Sequence, residues 1–236
     1  MKSNALPLVA GLLLVVLFLG LGIWQLQRAN EKQALQTEYD RRAHRSAVPL
    51  KASLQTAAEI RFHRVEAIGR YESEYQILLD NRVHRGIAGY HVLTPLRLEG
   101  SDTRVLVNRG WVPIGADRGQ LPDTSIPAGL VTIAGIAIEP HARPFVLGAL
   151  SPLVRESPTV WQQLDLERYA DTVPFPVQPI LVLLDAQNSA GGFVRAWSRL
   201  DAGIAVHHGY AFQWFTLALA TLVVYVFLVR RHQRKS

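Results

Sequence analysis

Hydrophobic and polar positions are segregated along this chain at its two ends. No charged side chain occurs between Lys2 and Arg28, and residues 5–24 are almost wholly apolar. Between Asp201 and Arg230 there is again no Asp, Glu, Lys or Arg, and residues 210–229 read YAFQWFTLALATLVVYVFLV. About 20 apolar residues at about 1.5 Å rise each cover a hydrocarbon layer of about 30 Å. The pattern therefore predicts two transmembrane helices, residues 7–26 and 207–229, with a domain over 27–206 on one side and the ends 1–6 and 230–236 on the other. Such a layout excludes channels and many-helix transporters. The first run ends in Ile23-Trp24-Gln25 ahead of Arg28. It offers no small-x-small cleavage site and exceeds a signal h-region of about 7–15 residues, so an uncleaved anchor is expected.

Between the spans the periodicity changes twice. Residues 25–45 are helix formers without Pro or Gly, which extends the first span into an extramembrane helix. From Phe62 the chain breaks into short β-like runs: 62–71, 75–80, 90–98, 104–112, 130–138, 180–184 and 193–198, separated by Gly, Pro, Asp and Ser. A short helix is expected over 163–170, and the proline-rich 172–179 reads as loop or edge. The fold class is an α+β membrane protein whose exported part is a mainly antiparallel β domain, a small barrel or a curved sheet.

Charge supplies a topology. The tail carries Arg230, Arg231, Arg234 and Lys235, which the positive-inside tendency places in the cytoplasm, with the N-terminus beside it. All 19 acidic residues lie in the intervening domain. Setting aside Lys2 and the four tail residues leaves 20 of the 25 basic ones there, a balance of +1. The net charge of +6 thus marks membrane orientation and not a nucleic-acid partner. With a bacterial inner membrane as the setting, the domain falls on the periplasmic side. No cysteine is present, which removes disulfides, thiolate metal sites and cysteine nucleophiles, so any metal chemistry rests on histidine.

Catalytic signatures are missing: no GxSxG elbow, no phosphate loop, and Asp165 and Glu167 flank a predicted helix as solvated carboxylates. No catalytic residue is assigned, and the chain reads as a non-enzyme. His44, His63 and His141 read as solvated or capping residues and His232 as part of the tail, while His84 and His91 stand seven apart across a turn, a spacing open to a shared metal. One echo recurs: Leu-Leu-Asp-Asn81-Arg82 and Val-Leu-Val-Asn108-Arg109. It fits either two hairpin ends or two guanidinium groups at one end of a sheet, suited to carboxylates.

His207 and His208 stand at the outer mouth of the second span, where ionisable groups suggest function. At 100° per residue His207, Tyr210, Ala211, Trp214, Thr221 and Tyr225 form one stripe. That stripe suits a partner helix, a flat apolar ligand, or plain interfacial anchoring by Tyr and Trp. Trp24, Gln25, Arg28 and Lys32 share a face at the same boundary. A neutral imidazole there is able to ligate haem iron, with Arg and Lys meeting propionates.

Four segments carry a resemblance: LGIWQLQRANEK (21–32), LLDNRVHRGIAGYHVLTPL (78–96), VLVNRGWVP (105–113) and HHGYAFQWFTLA (207–218). In order, spacing and flanking spans the chain resembles the surfeit-locus family of cytochrome c oxidase assembly factors. The resemblance implies a membrane-tethered factor for maturing subunit I of haem-copper oxidases, working with the haem a synthesis machinery and binding haem a as cofactor. It places the family's histidine at His207, with His208 as a second ligand or a bystander. The implied cofactor-binding set is His207, His208, Trp24, Gln25, Arg28, Tyr210 and Trp214, with His207 on the haem iron. Asn81, Arg82, Gly89, Asn108, Arg109, Gly110 and Trp111 match motif positions of unassigned role. The alternative is a cofactor-free membrane scaffold that stabilises an oxidase assembly intermediate.

Overall fold

The computed structural model describes residues 5–115, 120–140, 159–197 and 203–234, and for residues 5–8 and 232 the backbone alone. Two compact units emerge, Met1–Glu38 with Ser198–Ser236, and Tyr39–Trp197.

The first unit is a helix pair. Helix α1 (Ala5–Ala43) runs 39 residues without a break, about 58 Å at 1.5 Å per residue, so the apolar run does continue into a polar helix as its composition predicts. The partner helix, Ile204–Gln233, is 30 residues long. Both are long and apolar enough to cross a membrane. On α1 the covered positions Val15, Phe18, Gly22, Gln25 and Ala29 recur in steps of three and four, the spacing of a coiled-coil seam. On the partner, His207, Ala211, Trp214, Ala218, Thr221 and Tyr225 do the same. Phe18 stacks on Trp214 at 5.7 Å between centroids. The Phe215 ring lies so close to Gly22 that a Cβ there would stand 2.6 Å from it, and Gly11 faces Tyr225. Small residues let the two backbones approach where a lipid-facing surface gives no hydrophobic drive.

The second unit is a β-barrel. Its strands are β1 (Val48–Pro49), β2 (Arg64–Tyr71), β3 (Ile77–His84), β4 (Ile87–Leu98), β5 (Arg104–Pro113), β6 (Val131–Ile138), β7 (Thr159–Trp161) and β8 (Val177–Leu184), with short helices α2 (Ala57–Ile60) and α3 (Leu166–Thr172). The helix Ile204–Gln233 is then α4. The order β2-β6-β8-β5-β4 closes on itself because β4 also pairs with β2, Leu98 opposite Gly69 and Leu96 opposite Tyr71. Strand β3 extends the wall from β4 and carries β7 at its outer edge. Pairing is antiparallel except β5 with β8, β1 with β2 and β3 with β7.

Alternation fills the barrel. Val65, Ala67, Leu96, Val105, Val107, Ile133 and Val182 point inward to one core, while Leu93, Leu106 and Leu181 point outward to a second core completed by Trp161 and Tyr169 of β7 and α3. Strand β5 is therefore covered on both faces, and its sequence reads as an apolar run instead of an alternation. Helix α3 starts at its cap Asp165, whose carboxylate accepts from the Arg168 N–H, slightly later than expected. The expected run 193–198 makes only one bridge, Val194 to Trp111, as far as residue 197, beyond which it leaves the described residues. Of the stretch 172–179 only 173–176 is loop, since Thr172 closes α3 and β8 begins at Val177 and takes Pro179 into the sheet.

Register shifts at three places among the described strands, once between β5 and β8 at Arg104 to Leu106 and twice at the repeated Asn-Arg. In β3 the register slips between Leu79 and Arg82, where Asn81 sits at φ 57°. In β5 it slips between Asn108 and Gly110, with Gly110 at φ 122°. A Cβ on Gly110 would also stand 2.8 Å from the Val194 carbonyl, so this glycine is required twice over. The echo thus does not mark two equivalent hairpin ends, since its second copy lies inside β5. It marks two points where a strand is bent and its side chains re-aimed.

Candidate functional site

A polar layer interrupts the apolar seam of the helix pair. Gln25 of α1 is buried and His207 of α4 half-buried, and His207 Nδ1 lies 2.7 Å from Gln25 Oε1. Phe18, Gly22 and Ala29 on one side, and Ala211 and Trp214 on the other, offer no competing hydrogen-bonding group except the Trp214 indole. In an apolar seam a Gln–His contact of this kind satisfies two groups that would each be costly alone.

The remaining expected cofactor residues distribute around that layer. Trp214 is drawn into the seam by its stack on Phe18. Trp24 and Tyr210 are each about half exposed, and His208 is exposed. Arg28 is exposed, 2.8 Å from Glu31 and with its guanidinium 6.0 Å from the Trp24 ring centroid. The stripe read along α4 therefore holds for His207, Ala211, Trp214, Thr221 and Tyr225, while Tyr210 turns outward. The face read on α1 divides likewise: Gln25 lies in the seam and Lys32 near Gly203, with Trp24 and Arg28 outside.

The barrel motif residues form a separate cluster around the two bulges. Asn108 Oδ1 accepts the Gly110 N–H at 3.1 Å, which fixes its amide so that Nδ2 donates to His91 Nδ1 at 3.3 Å. Burial, then the nearby Arg82, holds His91 down at about 4. Trp111 donates from its indole to the Arg82 carbonyl at 2.8 Å and packs against Gly89, where a Cβ would stand 2.4 Å from that indole nitrogen. Trp111 and Trp197 lie against His84 and His91 respectively, so the two histidines are each engaged by a ring, and among the described residues no cluster of three or more metal-ligating groups exists.

Arg109, the extra residue of the β5 bulge, turns into the protein. It is among the largest fully buried side chains, yet none of its hydrogen bonds among the described residues goes to a carboxylate. Its guanidinium donates to the carbonyls of Gly191, Thr124 and Ser125 and to Gln76 Oε1, over distances of 2.8–3.4 Å, between the rings of Tyr71 and Phe193. Gln76 is in turn held by Thr94 and Thr124, each at 2.7 Å. Burial holds Arg109 below the ordinary guanidinium value and pushes the Tyr71 hydroxyl well up. This network ties segment 124–125 and the turn at Gly191 to β5.

Of the other histidines, His44 caps α1 through the Asp40 carbonyl at 2.7 Å, His63 is partly buried and lowered by that burial and by Arg42 and Arg45, and His141 lies outside the described residues. Sequence reasoning missed Phe18 and Gly22, which the three-and-four spacing around Gln25 would have revealed. It also missed Gln76, Thr94 and Thr124, which carry no local signal.

A small closed barrel with an apolar helix on either side of it in the sequence, and a Gln–His layer between those helices, defines a two-span α+β protein fitted to a membrane. The model of the SURF1 family matches residues 12–219, and the chain belongs to that family, known in general as cytochrome oxidase assembly factors. It is similar to a SURF1-like protein of Rickettsia felis (strain ATCC VR-1525 / URRWXCal2), 25% identical over 232 residues covering 96% of each chain. A SURF1-like protein of Monosiga brevicollis is 26% identical over 234 residues, 94% of this chain and 87% of the relative. Surfeit locus protein 1 of Mus musculus is 25% identical over 218 residues, 86% of this chain and 69% of the relative.

Proposed function

We propose that this protein is an assembly factor for haem-copper (cytochrome c) oxidase that binds haem a at the outer end of its helix pair and aids its delivery to, or retention in, subunit I. The observation that carries the reading is the Gln25–His207 layer: His207 is held through Nδ1, and its Nε2 makes no hydrogen bond among the described residues. Haem, when bound, supplies an iron that accepts a nitrogen ligand. His207 is the ligand of this reading. Arg28, exposed, next to Trp24 and paired with Glu31, is the charge this reading gives to propionates, and His208 and Tyr210 are exposed polar groups on α4. A hydrophobic tail on the haem would remain in lipid at this depth. The barrel acts in recognition, with subunit I and the haem a synthesis machinery as partners and no catalytic step of its own. Its place is the periplasmic side of a bacterial inner membrane, the basic tail being cytoplasmic.

The test is an absorption spectrum of protein purified in mild detergent from cells that make haem a, beside His207→Ala. A near-stoichiometric haem band that His207→Ala abolishes, together with lost oxidase maturation, is the expected result. Colourless wild-type protein that still co-purifies with subunit I would replace this reading with the cofactor-free scaffold. Sidedness has its own test, because the chain has no cysteine. Glu99→Cys, at an exposed site on the barrel, is expected to react with a membrane-impermeant maleimide in intact cells. Labelling only after lysis would reverse the orientation.

A further inference from the structure

We infer that Gln25 is a positioning residue: its side-chain oxygen holds His207 in the tautomer that leaves Nε2 as a bare lone pair, so Gln25 acts on the ligand only through the imidazole. An amide oxygen accepts and never donates, so across the 2.7 Å contact the proton belongs to His207 Nδ1. A neutral imidazole has one N–H, and Nε2 is left able to bind a metal. Free histidine in water favours the opposite form, with the proton on Nε2, so the nitrogen that faces away from α1 is made available by α1. A carboxamide suits this seam better than a carboxylate would, since burying an ion between Gly22 and Ala29 carries a desolvation cost that a neutral group avoids. Partners of this kind, one bond removed from the metal, fix ring orientation and basicity in metal sites generally. Gln25 thereby leaves the set of residues that touch the cofactor, and α1 becomes part of the site without contributing a ligand.

The purpose assigned to this tautomer rests on the haem reading, but the tautomer itself is measurable without haem. The full chain, labelled with ¹⁵N-histidine in detergent micelles at pH 8, gives imidazole nitrogen shifts in which protonated and bare nitrogens are far apart. Signals are assigned by subtraction with His207→Ala and His91→Gln. His207 is expected to carry its proton on Nδ1. His91, whose Nδ1 accepts from Asn108, is expected to carry its proton on Nε2 in the same spectrum. Gln25→Leu should return His207 to the Nε2–H form, and Gln25→Glu should keep Nδ1–H, with unchanged His91 signals reporting an intact fold. Titrated with haemin, Gln25→Leu should bind about 10- to 100-fold more weakly, and Gln25→Glu should retain binding. Wild-type His207 protonated on Nε2, or a tautomer indifferent to Gln25→Leu, would overturn the proposal even if haemin binds. The expected tautomers with no haemin band would instead uphold it and sink the haem reading.

Discussion

Among the described residues there are two histidine–carboxamide pairs, and they are wired in opposite senses. In the barrel, Gly110 takes the Asn108 oxygen, so the amide nitrogen faces His91 and occupies the lone pair of Nδ1. In the helix pair the Gln25 oxygen faces His207, so Nδ1 gives its proton and the other nitrogen is left over. His91 is held neutral by burial and by Arg82 and is closed in by Trp197, whereas His207 sits at a seam with exposed Tyr210, His208 and Trp24 around it. The residue types are nearly the same in both places. What separates a structural histidine from an available one is which end of the amide it meets.

The comparison breaks most heavily at the bulge. Gly110→Ala forces a side chain into φ 122° and against the Val194 carbonyl, and should cost about 3–5 kcal/mol in chemical denaturation, the sum of backbone strain and overpacking. It should also release Asn108, so that the His91 signals move while those of His207 stay.

Acid should find the barrel pair next. His91 titrates near 4 in the folded protein against an ordinary 6.5, so between those values the unfolded chain binds a proton that the native state refuses. Stability is then complete above about pH 6.5 and falls as the pH drops toward 4, by an amount on the order of 2–3 kcal/mol. Melting curves against pH should show this slope, and His91→Gln should flatten it.

Gly22→Leu addresses the other pair. A side chain there would occupy the place of the Phe215 ring, separating the helices at the Gln25–His207 layer for about 1–3 kcal/mol. The measurable sign is loss of the Nδ1–H signal of His207 with the barrel signals unchanged. His207→Ala should cost about 1–2 kcal/mol, since it leaves the buried Gln25 amide without its partner. Its melting temperature should fall only modestly while its pigment disappears, a dissociation the barrel residues should not show.

Much of this architecture was legible from the chain. The two apolar runs became α1 and α4 because long uninterrupted hydropathy has few other outcomes, and six of the seven expected strands are present because short apolar or alternating runs between Gly, Pro, Asp and Ser mark them over 62–138 and 180–184. Strands β1 and β7 were not legible: two or three residues carry no period, and each exists because a neighbour offers an edge. The Asn-Arg echo was seen as a pattern but its meaning was not, since a bulge is a relation between two strands and no single segment records it. His207 and Gln25 were both picked out by their place at the end of a span. Their hydrogen bond, and the outward turn of Tyr210 and Arg28, depend on how the two helices are rotated about their axes, which Phe18, Gly22 and Trp214 set through packing.

The paired bulges also govern how this barrel can change length over time. Each adds one residue to a strand whose partner adds none, and side chains beyond it keep their faces only while that surplus is kept. Deleting one residue from Asn108–Gly110 would restore plain alternation and exchange inside for outside over Trp111–Pro113, unseating the Trp111 indole from Gly89 and from the Arg82 carbonyl together. Point substitutions in these strands alter one contact, but a single-codon loss there rewrites a whole edge of the domain. Insertions and deletions among descendants should therefore collect in the loops and spare both Asn-Arg pairs.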